Sequence, residues 1–207
     1  MVSLYKIKSN YIHRDNPRPF DDTPNTDKWQ YEVYELAHTI ALIIPKLPVL
    51  DIGCGSGYKL VNIFKEFDTL GIELEETYKF LIEKYPEKKW EIKTNIPPKE
   101  KFGVVILADV LEHLNDPDEM MKYIEKINFE YLIISTPNRD NLELSQNGPP
   151  KNDAHAREWS SSELREYIGQ YLNVVNQYDT NKNQKTQCII AKKNEITPRH
   201  IVWKIQW

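Results

Sequence analysis

Residues 49–57 read VLDIGCGSG, an apolar run that leads straight into a turn with a glycine at every second position. Glycine is scarce elsewhere: the chain has 7 in 207 residues, and Gly53, Gly55 and Gly57 are three of them. Glycine costs backbone entropy on folding, so such a cluster marks a turn that needs positive φ or lets its backbone approach something closely. Tyr58 opens a helical pattern, so the turn joins a strand to a helix N-terminus, where backbone N–H groups are free to meet an anionic or polar ligand. Asp51 stands just before the turn, and Glu73 ends the next strand 20 residues after Gly53. A carboxylate in that second place accepts hydrogen bonds from ribose hydroxyls.

The rest of the chain alternates strand and helix patterns. Strands are expected at Val49–Ile52, Thr69–Glu73, Trp90–Thr94, Gly103–Ala108, Tyr131–Ser135, Val174–Asp179 and Gln187–Lys192. Helices are expected at Tyr58–Phe67, Glu75–Tyr85, Pro117–Ile127 and Ser160–Tyr171. A further helix is expected before the first strand, capped by Thr26 and Asp27 and stopped by Pro45 and Pro48. GVVILA and YLIIS are apolar throughout, as strands buried on both faces are. Alternation of this kind implies an α/β fold: a doubly wound, mostly parallel seven-stranded sheet with an antiparallel last strand. One domain suffices, with an N-terminal arm and helix (1–45) as a lid, a core at 46–194 and a tail at 195–207.

The dinucleotide fingerprint G-x-G-x-x-G requires a glycine at position 58, where the chain has Tyr58. An acid ahead of the turn suits a positive ammonium group and is unhelpful beside a pyrophosphate. S-adenosylmethionine, with an amino group, a carboxylate and a ribose but no phosphate, fits better than NAD. VLDIGCGSG, GIELEE, VVILADVLEHLNDP and YLIISTPN, in that order, resemble the motif set of class I S-adenosylmethionine-dependent methyltransferases with their Rossmann-like fold. Within these the chain is similar to the branch of ubiquinone-type and sugar O-methyltransferases. The resemblance implies that Asp51, Gly53 and Gly55 line the methionine part of the cofactor, with Cys54 and Gly57 completing the turn. Cys54 is read as a small filler, since no nearby histidine would activate it. Glu73 would bind ribose, Leu74 and Asn95 would lie by the adenine, and Ala108 and Asp109 would lie by the sulfonium.

The methyl acceptor is less sharply marked. A hydroxyl is a weak nucleophile and needs a base, and histidine is the usual one near neutral pH. His155, in the long link after YLIIS, is the first candidate, with Asp153 to orient it; His113 and Asp109, expected on one helical face, are the others. Asp21, Asp22, Trp29, Gln30 and Tyr31 of the arm, with Asn138, Asp153 and Arg157 of the link, offer aromatic faces, acids and amides suited to a sugar or glycan. A weaker resemblance, to glycan-capping methyltransferase domains of large algal viruses, points the same way and implies association or fusion with a glycosyltransferase. Asp109, Glu112 and His113 resemble the divalent-metal position of some ubiquinone-type relatives. Magnesium prefers oxygen to imidazole nitrogen, so no metal is expected to be required.

A net charge of −4 with no basic run gives no footprint for a nucleic acid. No long apolar stretch suggests membrane insertion, and two cysteines fit a reduced compartment, so the expected location is the cytoplasm, of a host if the chain is viral.

Overall fold

The computed structural model describes residues 4–24, 29–143, 146–180 and 185–194. Seven strands form one sheet: β1 Val49–Ile52, β2 Thr69–Glu73, β3 Lys89–Ile92, β4 Lys101–Ala108, β5 Asn128–Pro137, β6 Asn173–Asp179 and β7 Thr186–Lys192, in the spatial order β3-β2-β1-β4-β5-β7-β6. The five strands β3, β2, β1, β4 and β5 run parallel to one another, and β7 runs antiparallel to both β5 and β6. The antiparallel strand is thus the last in sequence but lies inside the sheet, with β6 at the edge.

Five helices cover the two faces: α1 Tyr31–Ile43, α2 Tyr58–Ile63, α3 Glu75–Lys84, α4 Pro117–Lys126 and α5 Ser161–Ile168. Side chains alternate across each strand, so the sheet separates two apolar cores. Leu50, Ile52, Val105, Leu107 and Leu132 face one core with α4, α5 and the arm residues Ile7 and Tyr11. Val49, Val104, Ile106 and Ile133 face the other, with α1 and the buried Leu60 of α2 and Leu81 of α3.

Several boundaries differ from the sequence expectation for identifiable reasons. The helix expected over 58–67 stops at Ile63, because Phe64 and Phe67 turn inward and pack edge-on against His38 at 5.5 and 5.8 Å. α1 begins at Tyr31 behind Gln30, which has φ 61; the expected caps Thr26 and Asp27 lie outside the described residues. β3 lies one residue earlier than expected, with Trp90 buried under the glycine turn, where a Cβ at Gly57 would stand 2.8 Å from its ring. α5 carries the capping box read from SSSE: Ser160 Oγ accepts from Glu163 N, and Glu163 accepts from Ser160 N. The segment after Asp109 is a 3-10 turn at Leu111–His113 and not an α-helix, so Asp109 and His113 do not share a helical face.

The order of strands reverses at β1 and β4, and both deliver their carboxyl ends to the same edge. In open α/β sheets the crevice at such a reversal is where ligands bind. Ile52 leads there into the glycine turn and Ala108 leads into Asp109.

Candidate functional site

The glycine turn folds as its residue types require. Gly53, Gly55 and Gly57 have φ of 76, 54 and 68°, a region that L side chains rarely adopt. Gly53 N donates to Ile72 O at 2.8 Å, tying the turn to β2. Glu73 closes it: one carboxylate oxygen accepts from Gly55 N at 2.7 Å and the other from Leu74 N at 2.8 Å. Burial raises the Glu73 pKa despite these bonds.

Asp51 is fully buried beneath the turn. Tyr34 of α1 donates its hydroxyl to Asp51 Oδ2 at 2.9 Å, while Oδ1 has no hydrogen-bond partner. Burial pushes its pKa up to about 7, against the pull of the Tyr34 bond and the nearby charge of Lys59. A buried carboxylate oxygen without a partner is costly and marks a place where a donor belongs. Cys54 is buried and its thiol is held well above its ordinary pKa by burial, which fits packing and not nucleophilic chemistry.

Asp109 stands opposite, at the end of β4, with the strained φ of 52°. Its carboxylate accepts from Ser135 Oγ at 2.6 Å, its N–H donates to Ser135 O at 3.0 Å, and Gln30 also bonds the carboxylate. Burial raises its pKa.

Beyond it lies a pair of histidines. His113 Nδ1 meets Ala154 O at 2.8 Å; a carbonyl only accepts, so Nδ1 carries the proton and Nε2 is a bare lone pair. Burial, with His155 beside it, lowers its pKa to about 4, so the ring is neutral at pH 7. Phe20 stacks on it at 5.2 Å and His155 meets it edge-on at 4.9 Å. His155 Nδ1 donates to Glu158 Oε1 at 2.9 Å and its Nε2 accepts from Asn152 Nδ2 at 2.9 Å.

The link after β5 is not the open loop that its composition suggests. Residues 154–160 are all buried, and the arm is laced to the link: Arg14 N donates to Ala156 O at 2.8 Å, Arg18 N to Asp153 O at 2.9 Å, and Trp159 Nε1 to Tyr5 O at 3.0 Å. One expected contact is corrected here, and two residues expected at the acceptor are found bonded within the protein. Asp153 does not orient His155; its carboxylate is exposed and pairs with Arg18 at 3.1 Å, and Glu158 takes the orienting place. Arg157 is buried, and its guanidinium donates to the carbonyls of Leu114 and Asn115 and to His13 Nδ1. Asn138 is buried and holds Ser161, Asp179 and the N–H of Asp140. Among the described residues, Asp21 bonds its own turn, through Thr23. Trp29, Tyr31, Leu74 and Asn95 are exposed.

The family profile described as a methyltransferase domain matches residues 27–177. The chain belongs to this methyltransferase family. Solved structures share the fold at low identity. One is a SAM-dependent methyltransferase from Aquifex aeolicus (18% identity, 84% of this chain and 98% of that one, TM-score 0.63). A second is magnesium protoporphyrin IX methyltransferase from Synechocystis PCC 6803 with bound SAH (16%, 80% and 83%, 0.61). A third is the N-methyltransferase NodS from Bradyrhizobium japonicum WM9 in complex with S-adenosyl-l-homocysteine (13%, 84% and 95%, 0.62). No curated protein sequence matches. Among the described residues of the methyltransferase, no helix is long and apolar enough to cross a membrane.

The residues of the turn fit an adenosyl methyl donor. Asp51 Oδ1 lacks the hydrogen-bond donor that an amino group would supply, and no side chain but glycine leaves room at 53, where a Cβ would stand 2.6 Å from Val110. A metal would find a different set: Glu112, His113 and His155 each offer one ligand atom, all within 4.8 Å of one another. Two imidazoles and a carboxylate suit a borderline transition ion better than magnesium. Sequence reasoning missed Tyr34, Glu158, Ser135 and Phe20. Only Glu158, three residues after His155, carried a local signal; the others meet the site through the fold.

Proposed function

We propose that this methyltransferase moves a methyl group from S-adenosylmethionine to a hydroxyl of a sugar or glycan. The observation that carries the reading is the bare Nε2 of His113, an uncharged base beside the end of β4 where Asp109 closes the donor site. When bound, the cofactor supplies an electrophilic methyl on a sulfonium. Asp51 holds the amino group of its methionine part, Glu73, fixed by the Gly55 amide, holds the ribose side, and the buried walls of the turn exclude water.

The acceptor hydroxyl becomes strongly acidic as its oxygen takes the methyl, so a base of low pKa serves if it is unprotonated and aligned. His113 meets both conditions: Ala154 O fixes its tautomer, and Phe20 and His155 fix its plane. The proton passes from the hydroxyl to Nε2. Glu158 and Asn152 act one step back, as positioning residues for His155. Phe20, Trp29 and Tyr31, exposed on the arm side, supply the aromatic faces on which a sugar ring packs.

Incubation with labelled cofactor and a panel of sugars, phenols, amines and peptides tests the acceptor: label on sugars supports the reading, and label on amines alone sinks it. His113→Ala is expected to lower kcat by about a hundredfold or more while leaving cofactor affinity in place. A second reading is favoured by the convergence of Glu112, His113 and His155, with both Glu112 carboxylate oxygens buried and unpartnered. There a divalent ion, and not His113 alone, would bind the acceptor oxygen. Dialysis against a chelator separates the two: the base reading requires activity to persist, and its loss with recovery on adding manganese or zinc favours the ion.

A further inference from the structure

The arm passes over the site as a strap, and its contacts are unusual in charge. Phe20 stacks on His113, and two residues further Asp22 reaches the glycine turn. Its carboxylate lies so close to Gly55 that a Cβ added there would stand 2.3 Å from Asp22 Oδ2 and 3.0 Å from its Cβ. Further along, Gln30 bonds Asp109 and Tyr34 bonds Asp51. Residues 20–22 and 30–34 thus contact both the glycine turn and the residues at the end of β4.

Three carboxylates, of Asp22, Asp51 and Glu73, thus surround one turn. The charge of Asp22 is felt at both Asp51 and Glu73, and that of Lys59 acts on Asp51 with the opposite sign. Glu73 is satisfied by two backbone amides, but Asp51 Oδ1 is buried with no partner. Like charges brought together this way are unfavourable unless a cation joins them. The donor and its product differ in this property: the donor carries a sulfonium and the product, a thioether, does not.

We propose that Asp22 is a specificity-determining residue of the donor site, which favours the cationic methyl donor over its neutral product. The proposal rests on the cofactor reading above and adds to it a residue outside the glycine turn. At the intermediate dielectric of a half-buried site, one carboxylate charge is worth about tenfold in affinity for a cation held several ångströms away.

The test is equilibrium titration of the wild type and Asp22→Asn with three ligands: S-adenosylmethionine, S-adenosylhomocysteine, and sinefungin, which carries an ammonium in place of the sulfonium. Asn keeps the size of the side chain and removes only its charge, and a thermal melt shows that the variant is folded. The expected result is a loss of about tenfold for the two cationic ligands and a change of less than about twofold for the neutral one. Equal losses for all three ligands would mean that Asp22 merely packs on the turn, and no loss for any would remove it from the site; either overturns the proposal. If the wild type bound none of them, the cofactor reading itself would fail, and the proposal with it.

Discussion

At the scale of the residue, Asp51 sets the behaviour of the donor site. Its pKa is about 7 in the fold against an ordinary 3.8, and the main cause is burial. The sign follows directly. A carboxyl whose pKa is raised by folding is best accommodated when protonated, so the cofactor-free protein loses stability as pH rises from about 4 through 7. A ligand that brings an ammonium to Asp51 favours the ionised form. S-adenosylhomocysteine should therefore bind about tenfold more tightly at pH 8 than at pH 6, and Asp51→Asn should weaken binding and flatten that dependence, both measured by calorimetry. His113 behaves in the opposite sense: at about 4 its pKa lies below this range, so kcat at saturating cofactor should stay level from pH 6 to 8. Asp51 and Glu73 were legible in the sequence because the glycine spacing fixes where such acids stand. Tyr34 was not, since it lies 17 positions from Asp51 on a helix face that reads as core. Nor was the partner of His155: Asp153 is nearer in sequence, yet the bend at Ala154 turns it outward to Arg18 and brings Glu158 to the ring.

At the scale of the element, periodicity reports burial well and tertiary contact poorly. β4 and β5 were legible because they are apolar on both faces, and α5 because its cap is a local bond. α2 was overestimated because Phe64 and Phe67 continue its pattern in sequence while His38 draws them out of the helix. The capping box can be tested alone: Ser160→Ala should cost about 1 kcal/mol in denaturant unfolding and leave cofactor affinity unchanged. The link between β5 and α5 was read only for acceptor contacts, and its composition gave no warning that Trp159 belongs to the core. That side chain is fully buried, stacked on Tyr167 at 5.5 Å and hydrogen-bonded to Tyr5 O. Trp159→Ala should cost about 3–5 kcal/mol and release the arm, which limited proteolysis near residues 5–18 would detect.

At the scale of the whole molecule, function comes from where the sheet reverses. The reversal between β1 and β4 places Asp51 and Asp109 at the same end of two neighbouring strands, where Gln30 reaches Asp109 and Phe20 reaches His113. Strand order is not written in any local pattern, but right-handed crossovers and a glycine turn after β1 leave few arrangements that differ from this one. The acceptor was the least legible part, because the arm and the link proposed to recognise it meet through contacts that run across more than a hundred residues. The central claim is that the turn and its two acids hold an adenosyl donor and not a dinucleotide. Calorimetric titration of the purified protein with S-adenosylhomocysteine and, separately, with NADH tests it most directly. The account predicts one-to-one binding of the first, abolished or strongly weakened in Asp51→Asn, and no heat from the second; saturable binding of NADH, or none of S-adenosylhomocysteine, would contradict it.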